Sequence, residues 1–396
     1  MPYLADNAYL AIKPESAAGT AVIPTVFVPL VSESIKTVVN HTPDKRIKGI
    51  DWASTGMLRG FRSHEGEIVI LGDADTVGHF LNMVLAKSST TGDATDGYTH
   101  TFAVGTPDTY TIEIKKGNHV VRYFGVSVDE LKLDFVDGQL QVTASIKAMG
   151  QFSVATLGVT TSGAVTSITL DDEYDIAPNR GLVVGDKLDV DGVEVTLTSV
   201  NANGVAVGFT STTVGKSAGV RVFLKPQTVS LATLQEPLRL GNALVGFGAD
   251  ESAATTAAGS RSTATAVYDL SVTFRNNLFV TNGSNRLDPV LITPRSREAE
   301  LMLKQLFATV EQRTKFLERG KQGITMVVLG KFIKSDFSTQ EKLTIKFHDA
   351  RQTDHGYALN VGDLIMDEQN FAALYDSSDA KAVSVELVNR TAGTAY

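Results

Sequence analysis

The sequence predicts a mainly β protein (β+α). We expect two tandem β-sandwich or barrel domains, each with one packed helix, and a small all-β module inserted between them. Polar and apolar residues alternate over long stretches, which is the period of a strand with one buried face. Helical spacing of apolar residues is rare, and the order of elements in the first 150 residues recurs in the last 170.

The clearest alternation lies in residues 126–148. Leu131, Leu133 and Phe135 fall on one face, and the turn dipeptide Asp137-Gly138 follows them. The pattern then resumes in the next run, which predicts an antiparallel hairpin with one buried and one solvated side. The polar face of this hairpin carries Glu130, Lys132, Asp134, Gln139, Gln141, Thr143, Ser145 and Lys147.

The first domain is predicted to span residues 1–153. It opens with an arm of short strand-like pieces, interrupted by Pro14, Gly19 and Pro24, that can cover a neighbour's edge or hang free. Strands are expected at 34–39, 64–71 and 99–104, and apolar residues at helical spacing predict one helix over 75–87. The Ser/Thr/Gly run before residue 97 is interpreted as a loop.

Composition changes after residue 153. Residues 154–226 are rich in Gly, Val, Thr, Asp and Ser without a helical pattern, which predicts a small all-β module. Residues 227–396 then repeat the first domain at a separation of 233 to 237 residues. Residues 297–301 echo 64–68, a helix at 309–319 stands where the first helix stood, and 323–329 is matched to 99–104.

Composition also limits the function. The formal net charge of −8 argues against a protein that grips nucleic acid through its phosphates. No apolar run approaches the roughly 20 residues of a membrane helix, and cysteine is absent. Because no signal peptide is recognisable, we expect a soluble protein that is made and used without export and is not inserted into a membrane.

No catalytic, cofactor-binding or metal site is expected. Ser217 lies in a Gly-x-Ser-x-Gly spacing, but a strand pattern follows it where a hydrolase would need a helix. The acidic run at 171–175 and the trio Asp186, Asp189 and Asp191 lack the distal glutamate of an EF-hand loop. The seven histidines show no zinc-binding spacing. We therefore predict that the chain is not an enzyme.

Four stretches carry a resemblance to a known family. They are Ala8-Tyr9-Leu10-Ala11-Ile12-Lys13-Pro14-Glu15; the Gly60…Glu65-x-Glu67 strand that leads through one helix to His100-Thr101-Phe102; Tyr110-Thr111-Ile112-Glu113 with Tyr123-Phe124-Gly125-Val126; and Val128-x-x-Leu131-x-Leu133 with the Asp137-Gly138 turn and Leu140-x-Val142. In these stretches and in the order of its elements, the chain resembles the tail tube proteins of long, non-contractile-tailed bacteriophages. The resemblance extends over residues 1–150 and, more loosely, over 236–396.

This resemblance implies a structural subunit that polymerises into stacked rings, forming a hollow tube through which DNA passes. The polar face of the 126–148 hairpin is then expected to line the lumen, and the inserted module to decorate the exterior. The implied partners are further copies of the chain, a tape measure protein, tail terminator and baseplate or distal tail proteins, and DNA in transient, non-specific passage. The expected location is the virion tail, assembled in the host cytoplasm.

Because the chain is duplicated, trimeric rings with pseudo-sixfold symmetry are favoured over hexamers. Contacts between rings are assigned to the arm and to the loops at 40–52 and 276–290. Trp52, in the first loop, is interpreted as a core residue or as an inter-ring anchor. We also expect that deleting residues 1–25 leaves a soluble protein that cannot polymerise.

Two other function classes fit the same profile. Another virion assembly protein, such as a capsid or baseplate component, would also be β-rich and free of catalytic residues. A surface-binding or adhesin-like β protein fits less well, because a single Trp offers few aromatic surfaces for stacking on sugars. Polymerisation into hollow tubes distinguishes these classes.

Overall fold

The fold is given by a computed structural model, and it is mainly β, as predicted. The residues that the structure describes are 7–46, 56–171, 178–230, 235–284, 286–306, 311–334, 336, 338–358, 365–393 and 396.

Among its described residues, the first part of the chain contains one α-helix and a series of strands that ends at residue 152. In chain order these are β1 (Tyr9–Pro14), β2 (Val26–Val28), β3 (Ser32–Glu33), β4 (Lys36–Pro43), β5 (Met57–Leu71), α1 (Val77–Val84), β6 (Ala86–Asp93), β7 (Gly97–Ala103), β8 (Tyr110–Lys116), β9 (His119–Val136), β10 (Gln139–Ala148) and β11 (Gly150–Phe152).

The middle of the chain forms a separate six-stranded sheet with the order β12-β17-β14-β15-β16-β13. Its strands are β12 (Val154–Thr156), β13 (Ala164–Thr169), β14 (Lys187–Val190), β15 (Val193–Val200), β16 (Ala206–Thr213) and β17 (Arg221–Leu224). Leu188, Val190 and Val222 are fully buried in a core of this sheet's own, which Val120 and Phe152 join from β9 and β11. We refer to this part below as the module.

The last part contains the strands from residue 243 onward. In chain order, its described strands and α-helices are β18 (Ala243–Gly248), α2 (Glu251–Ala258), β19 (Val267–Arg275), β20 (Phe279–Asn282), β21 (Pro289–Thr293), β22 (Glu298–Leu306), α3 (Glu311–Glu318), β23 (Gln322–Phe332), β24 (Gln340–Ala358), β25 (Met366–Leu374) and β26 (Val383–Asn389).

A curled antiparallel series of eight strands links the first and last parts. Its order is β4-β5-β10-β9-β19-β22-β25-β24. We call β4, β5, β10 and β9 the first unit, and β19, β22, β25 and β24 the second unit. The two units have the same order and the same strand directions. In register, Ile68 pairs with Ala144 in the first unit, and Leu301 pairs with Phe371 in the second.

A second layer lies behind this series, because β9 and β24 are long strands that take part in both layers. The early part of β9 belongs to the order β2-β1-β8-β9-β11, and the early part of β24 to β18-β23-β24-β26-β7-β6. One continuous apolar core fills the space between the layers. Helix α1 lies in this core with every residue buried, and it packs against β9. The predicted helix at 75–87 is confirmed, in a shorter form.

Two expectations about the first part are wrong. The Ser/Thr run after α1 is strand β6, which pairs with β7, and β7 pairs in turn with β26 near the end of the chain. The counterpart of β23 is therefore β8, which occupies the same place beside the long strand, and not the 99–104 strand. A run of serine and threonine shows no alternation of apolar residues, so hydrophobic periodicity gave no sign of β6, although threonine is common in strands.

The N-terminal arm also differs from expectation. Strand β1 pairs with β2 on one side and β8 on the other, and Leu10 and Ile12 are completely buried in the core. It is therefore an integral strand of this chain over residues 9–14. Deleting residues 1–25 would remove core side chains and a central strand, so it cannot isolate a loss of polymerisation from a loss of folding.

Helix α2 was not anticipated, whereas α3 falls within the predicted 309–319 segment. The side chain of Asp250 accepts a hydrogen bond from the Ala253 amide and caps α2. Glycine lets the sheet approach this helix closely: a Cβ on Gly246 would lie 2.2 Å from the Ala254 carbonyl oxygen. The helix packs on β18 and β23 through small alanine side chains. These residues give only a weak pattern of apolar residues at helical spacing, so the sequence did not reveal the helix.

Candidate assembly surface

The polar face predicted for the first hairpin forms one continuous array. In register, Lys132 lies opposite Thr143 and Glu130 opposite Ser145, while the neighbouring Leu131 and Ala144 are fully buried. None of the eight residues of this array is buried. The structure therefore brings together Glu130, Lys132, Asp134, Gln139, Gln141, Thr143, Ser145 and Lys147 on the solvated side of β9 and β10.

The array continues without interruption across the rest of the curled series. Lys132 lies opposite Thr273 of β19, and Thr273 lies opposite Glu300 of β22. On the other side, Ser145 lies opposite Glu67 of β5. The further members of this face are Glu65, Glu67, Thr273, Arg275, Glu300, Met302, Lys304, Asp354, Glu368 and Asn370. Sequence reasoning did not assign these ten residues to this face, because pairing between strands that are distant in the sequence determines which residues share it.

Cations on this face lie beside carboxylates. The Lys132 Nζ is 2.6 Å from the Asp134 Oδ2, and Lys304 pairs with Glu368. The guanidinium of Arg275 contacts Glu300 at 2.6 Å and Glu130 at 2.7 Å, and its hydrogen bonds to these two carboxylates raise its pKa. A cation held this way offers less net attraction to a phosphate.

The junction between the units is an antiparallel ladder from β9 to β19. It pairs Asp134 with Ser271 and Glu130 with Arg275. Within the described ranges, no strand pairs with the other edge of the β3–β4 segment (residues 32–39) or with the other edge of β24 over residues 351–354. These are the two outer edges of the curled series, and exposed edges of this kind template pairing with another chain.

A hairpin of β20 and β21 crosses this junction. The Asn276 amide donates to the Asp129 carbonyl oxygen at 2.8 Å, and the Leu278 amide donates to the Asp129 carboxylate at 2.6 Å. The Lys147 Nζ donates to the Leu278 carbonyl oxygen at 3.2 Å. Residues 276–290, expected to be a loop, therefore include a two-stranded hairpin fixed to the first unit.

Apolar and charged contacts hold the same hairpin in place. Leu278 and Ile292 are buried around Met149, which follows β10. The ring of His64 is 3.0 Å from the buried carboxylate of Asp288, and both side chains are almost inaccessible to solvent. The corresponding 40–52 segment of the first unit begins in β4, and residues 47–55, with Trp52, lie outside the described residues.

The module joins the second layer through a buried ionic cluster. Arg122 of β9 contacts Glu113 of β8 at 3.0 Å and Asp186 of the module at 2.6 Å. Burial alone would lower the pKa of Arg122, but the two carboxylates outweigh it and raise the pKa. Asp186 is thus an ion-pair partner. Asp191, from the same acidic trio, pairs with Lys216 at 2.9 Å.

The remaining chemical motifs resolve into ordinary structure. Ser217 lies in a turn just before β17, as predicted, so the hydrolase-like spacing does not form a strand-to-helix elbow. In the part of the chain that the structure describes, no three His, Asp or Glu side chains are grouped so that they could hold a metal ion. Most of the acidic run at 171–175 lies outside it. No described helix is long and apolar enough to span a membrane.

Comparison with known proteins gives one result at the level of the family. A search of curated proteins finds no match. A family model described as phage tail tube protein matches residues 5–210, more than half of the 396 residues. The match includes the arm, the whole first unit and most of the module. It confirms the resemblance found in the sequence at the level of a phage tail tube protein. The chain belongs to the phage tail tube protein family.

Proposed function

We propose that this chain is the repeating subunit of a long, non-contractile phage tail, and that it polymerises into stacked rings to form the hollow tube through which DNA enters the host. Family membership supports the structural role. The proposal rests on the two matching four-strand units. The curled series ends in a free edge on β3–β4 and a free edge on β24, and these correspond to the edges of β19 and β9 that pair at its internal junction.

A ring closes if neighbouring copies pair with each other in the same way as the two units pair within one chain. The ladder joins β9 of the first unit to β19 of the second, so the equivalent contact joins β24 of one copy to β3 and β4 of the next. Strand directions permit this antiparallel pairing. Following the register, Asp354 comes opposite Ser34 and Arg351 opposite Lys36. The two cations repel each other, but Arg351 is paired with Asp349, and Asp354 becomes a diagonal neighbour of Lys36 with the opposite charge.

Each copy supplies two units, so three copies supply six. We therefore favour trimeric rings with pseudo-sixfold symmetry, with hexamers as the alternative. A closed ring of this type leaves no sheet edge within the barrel. Its inner surface would be the polar array of Glu130, Lys132, Asp134, Gln139, Gln141, Thr143, Ser145 and Lys147 with its continuation on the second unit. Carboxylates outnumber cations on this face, which would let DNA pass without being held.

The remaining partners follow from the same proposal. The module would lie on the tube exterior, because it attaches to the second layer, behind the curled series. Rings would stack through the segment before β1 and through the segments at 40–52 and 276–290. A tape measure protein would occupy the lumen until ejection, with terminator and baseplate or distal tail proteins at the ends. Assembly would take place in the host cytoplasm.

A disulfide test addresses the ring directly, since the natural chain contains no cysteine. Directly opposed strand residues lie about 4.5–5.5 Å apart between Cα atoms, which is within disulfide range. We expect Ser34→Cys/Asp354→Cys tubes to give covalent dimers and trimers on oxidation, with nothing larger. Each single-cysteine variant should stay monomeric on a denaturing gel. Tubes without covalent species would contradict the proposed edge pairing, and a ladder to six copies would contradict the trimer.

A further inference from the structure

The inward side of the internal junction is apolar. Leu133 of β9 lies opposite Val272 of β19 there, and Leu131 lies opposite Phe274. Each of these four side chains is at most 2% exposed. They belong to the continuous apolar core between the two layers. The junction within one chain is therefore sealed in the same way as the interior of either unit.

The inward side of the outer edge on β24 is polar. In the matched strand order, His355 and Gln352 take the places of the two leucines of β9. The His355 side chain is only 4% exposed, and its Nδ1 lies 3.2 Å from the Asp367 carboxylate. The Oε1 atoms of Gln352 and Gln369 are inaccessible to solvent and accept no hydrogen bond in the part of the chain that the structure describes. Polar groups thus occupy an edge position where the internal junction has leucines.

The outer edge on β3 is polar on the same side of the sheet. Glu33 takes the place of Val272 in the matched strand order. Its carboxylate lies 2.9 Å from the Lys116 Nζ and accepts a hydrogen bond from the Ile35 amide at 3.0 Å. The same ammonium group donates to the Ile35 carbonyl oxygen at 3.2 Å. An inward-pointing charge of this kind discourages an edge strand from pairing with the wrong partner.

We propose that Glu33 of one copy contacts His355 of the next copy on the inward side of the ring junction, and that this polar contact selects which edges pair. The register of the internal ladder would set these two residues directly opposite each other, as it sets Val272 opposite Leu133. Directly opposed side chains on one face of an antiparallel pair interact. The inference rests on the proposed ring and deepens it, because it names the side chains by which one copy recognises another.

The two edges are chemically complementary. An imidazole N–H donates a hydrogen bond, and the Glu33 carboxylate accepts one. In the same register Ile35 would lie opposite Gln352, which brings the Lys116 ammonium beside the Gln352 Oε1. An ammonium group carries several donors, so it can supply the hydrogen bond that this oxygen lacks. Pairing of either outer edge with an apolar row would instead leave polar groups buried without partners, which is costly. The partner that fits is therefore a second copy of this chain.

A double-mutant cycle tests this contact. Glu33→Val and His355→Leu install the residue types that the internal junction has at the same positions. Each single variant should raise the protein concentration needed for tube formation by at least about tenfold, because it leaves a polar group opposite an apolar one. The double variant should need at least about tenfold less protein than the product of the two single effects implies.

The two positions lie on opposite outer edges of one chain, so their effects on the thermal stability of the unassembled protein should be additive. Coupling that is confined to assembly therefore reports a contact between copies. Glu33→Gln keeps the size of the side chain and an acceptor oxygen, so it should need less protein than Glu33→Val. Glu194→Val removes a module glutamate that is likewise paired with lysine; it is the matched control and should assemble normally.

Two results would overturn the inference. One is additive effects of the two substitutions on assembly. The other is a single variant that assembles at the same concentration as the unmodified chain or at a lower one, since these side chains would then only protect the free edges. The Ser34→Cys/Asp354→Cys disulfide reports separately on ring closure. Disulfide formation together with additive effects would overturn this contact alone, and tubes without the disulfide would overturn the proposed ring as well.

Discussion

At the scale of single residues, one group expected to make the fold pH-sensitive is a histidine inside the core. His79 of α1 is 2% exposed, and its ring packs edge-on against Tyr396 at 4.7 Å and Tyr110 at 5.9 Å. Burial lowers the pKa of His79 to about 3, and the nearby His100 and Lys87 act in the same direction. The folded state therefore keeps this ring neutral where the unfolded chain would protonate it.

This histidine should make the fold acid-sensitive. Its folded pKa lies below the unfolded value near 6.5, so stability falls as pH drops below that value, by about 1.4 kcal/mol per pH unit. Between pH 7 and pH 5 the loss from His79 is about 2 kcal/mol. In urea unfolding over the same pH interval, we expect the free energy of unfolding of His79→Gln to fall by about 2 kcal/mol less than that of the unmodified protein. Identical losses in the variant and the unmodified protein would show that His79 does not titrate as described.

At the scale of elements, local burial could be predicted and distant pairing could not. The β9–β10 hairpin was predicted almost residue by residue, because strict alternation records which side of a strand is buried. β6 was missed, and β1 was taken for a free arm, because their positions depend on partners far along the chain. The same limit applies to the candidate surface: Arg275 reaches Glu130 across 145 residues of sequence.

The polar array should let DNA pass only while its cations do not outnumber its carboxylates. Glu67 and Glu300 occupy corresponding positions in the two units. Tubes of the Glu67→Lys/Glu300→Lys variant, assembled with a short DNA duplex at low salt, should hold DNA that is protected from nuclease and released as salt rises. Unmodified tubes should retain none.

A control with the same charge change belongs on the module. In tubes of Asp191→Lys/Glu194→Lys protein, each chain loses two negative charges and gains two positive ones, the same net change as in the array variant. Any DNA bound to them should remain sensitive to nuclease, because we place these residues outside the tube. Equal protection in both variants, or none in the array variant, would argue against the proposed lumen face.

At the scale of the whole molecule, the module has a sheet of its own and a largely separate core. Val154 and Phe223 are directly paired, so the two ends of the module lie about 5 Å apart. A short Gly-Ser linker from Ser153 to Lys225 can therefore replace it. The buried Arg122 would still have Glu113 beside it after the replacement.

Removing the module should leave assembly intact. We expect the linker variant to form tubes with an unchanged lumen and a smaller outer diameter in electron microscopy. Exposure of Val120 and Phe152, which now pack in the module core, should lower its thermal stability without preventing assembly. A folded linker variant that forms no tubes would mean that the module belongs to the ring contacts and not to the exterior.

The central claim is that two units per chain close a ring of three copies. End-on class averages of tubes formed by the concentrated, purified protein test it most directly. The account predicts hollow, striated tubes whose rings hold three chains, with a sixfold appearance on the inner wall and threefold symmetry outside it. Closed shells, isolated rings without tubes, or rings of six complete chains would contradict it.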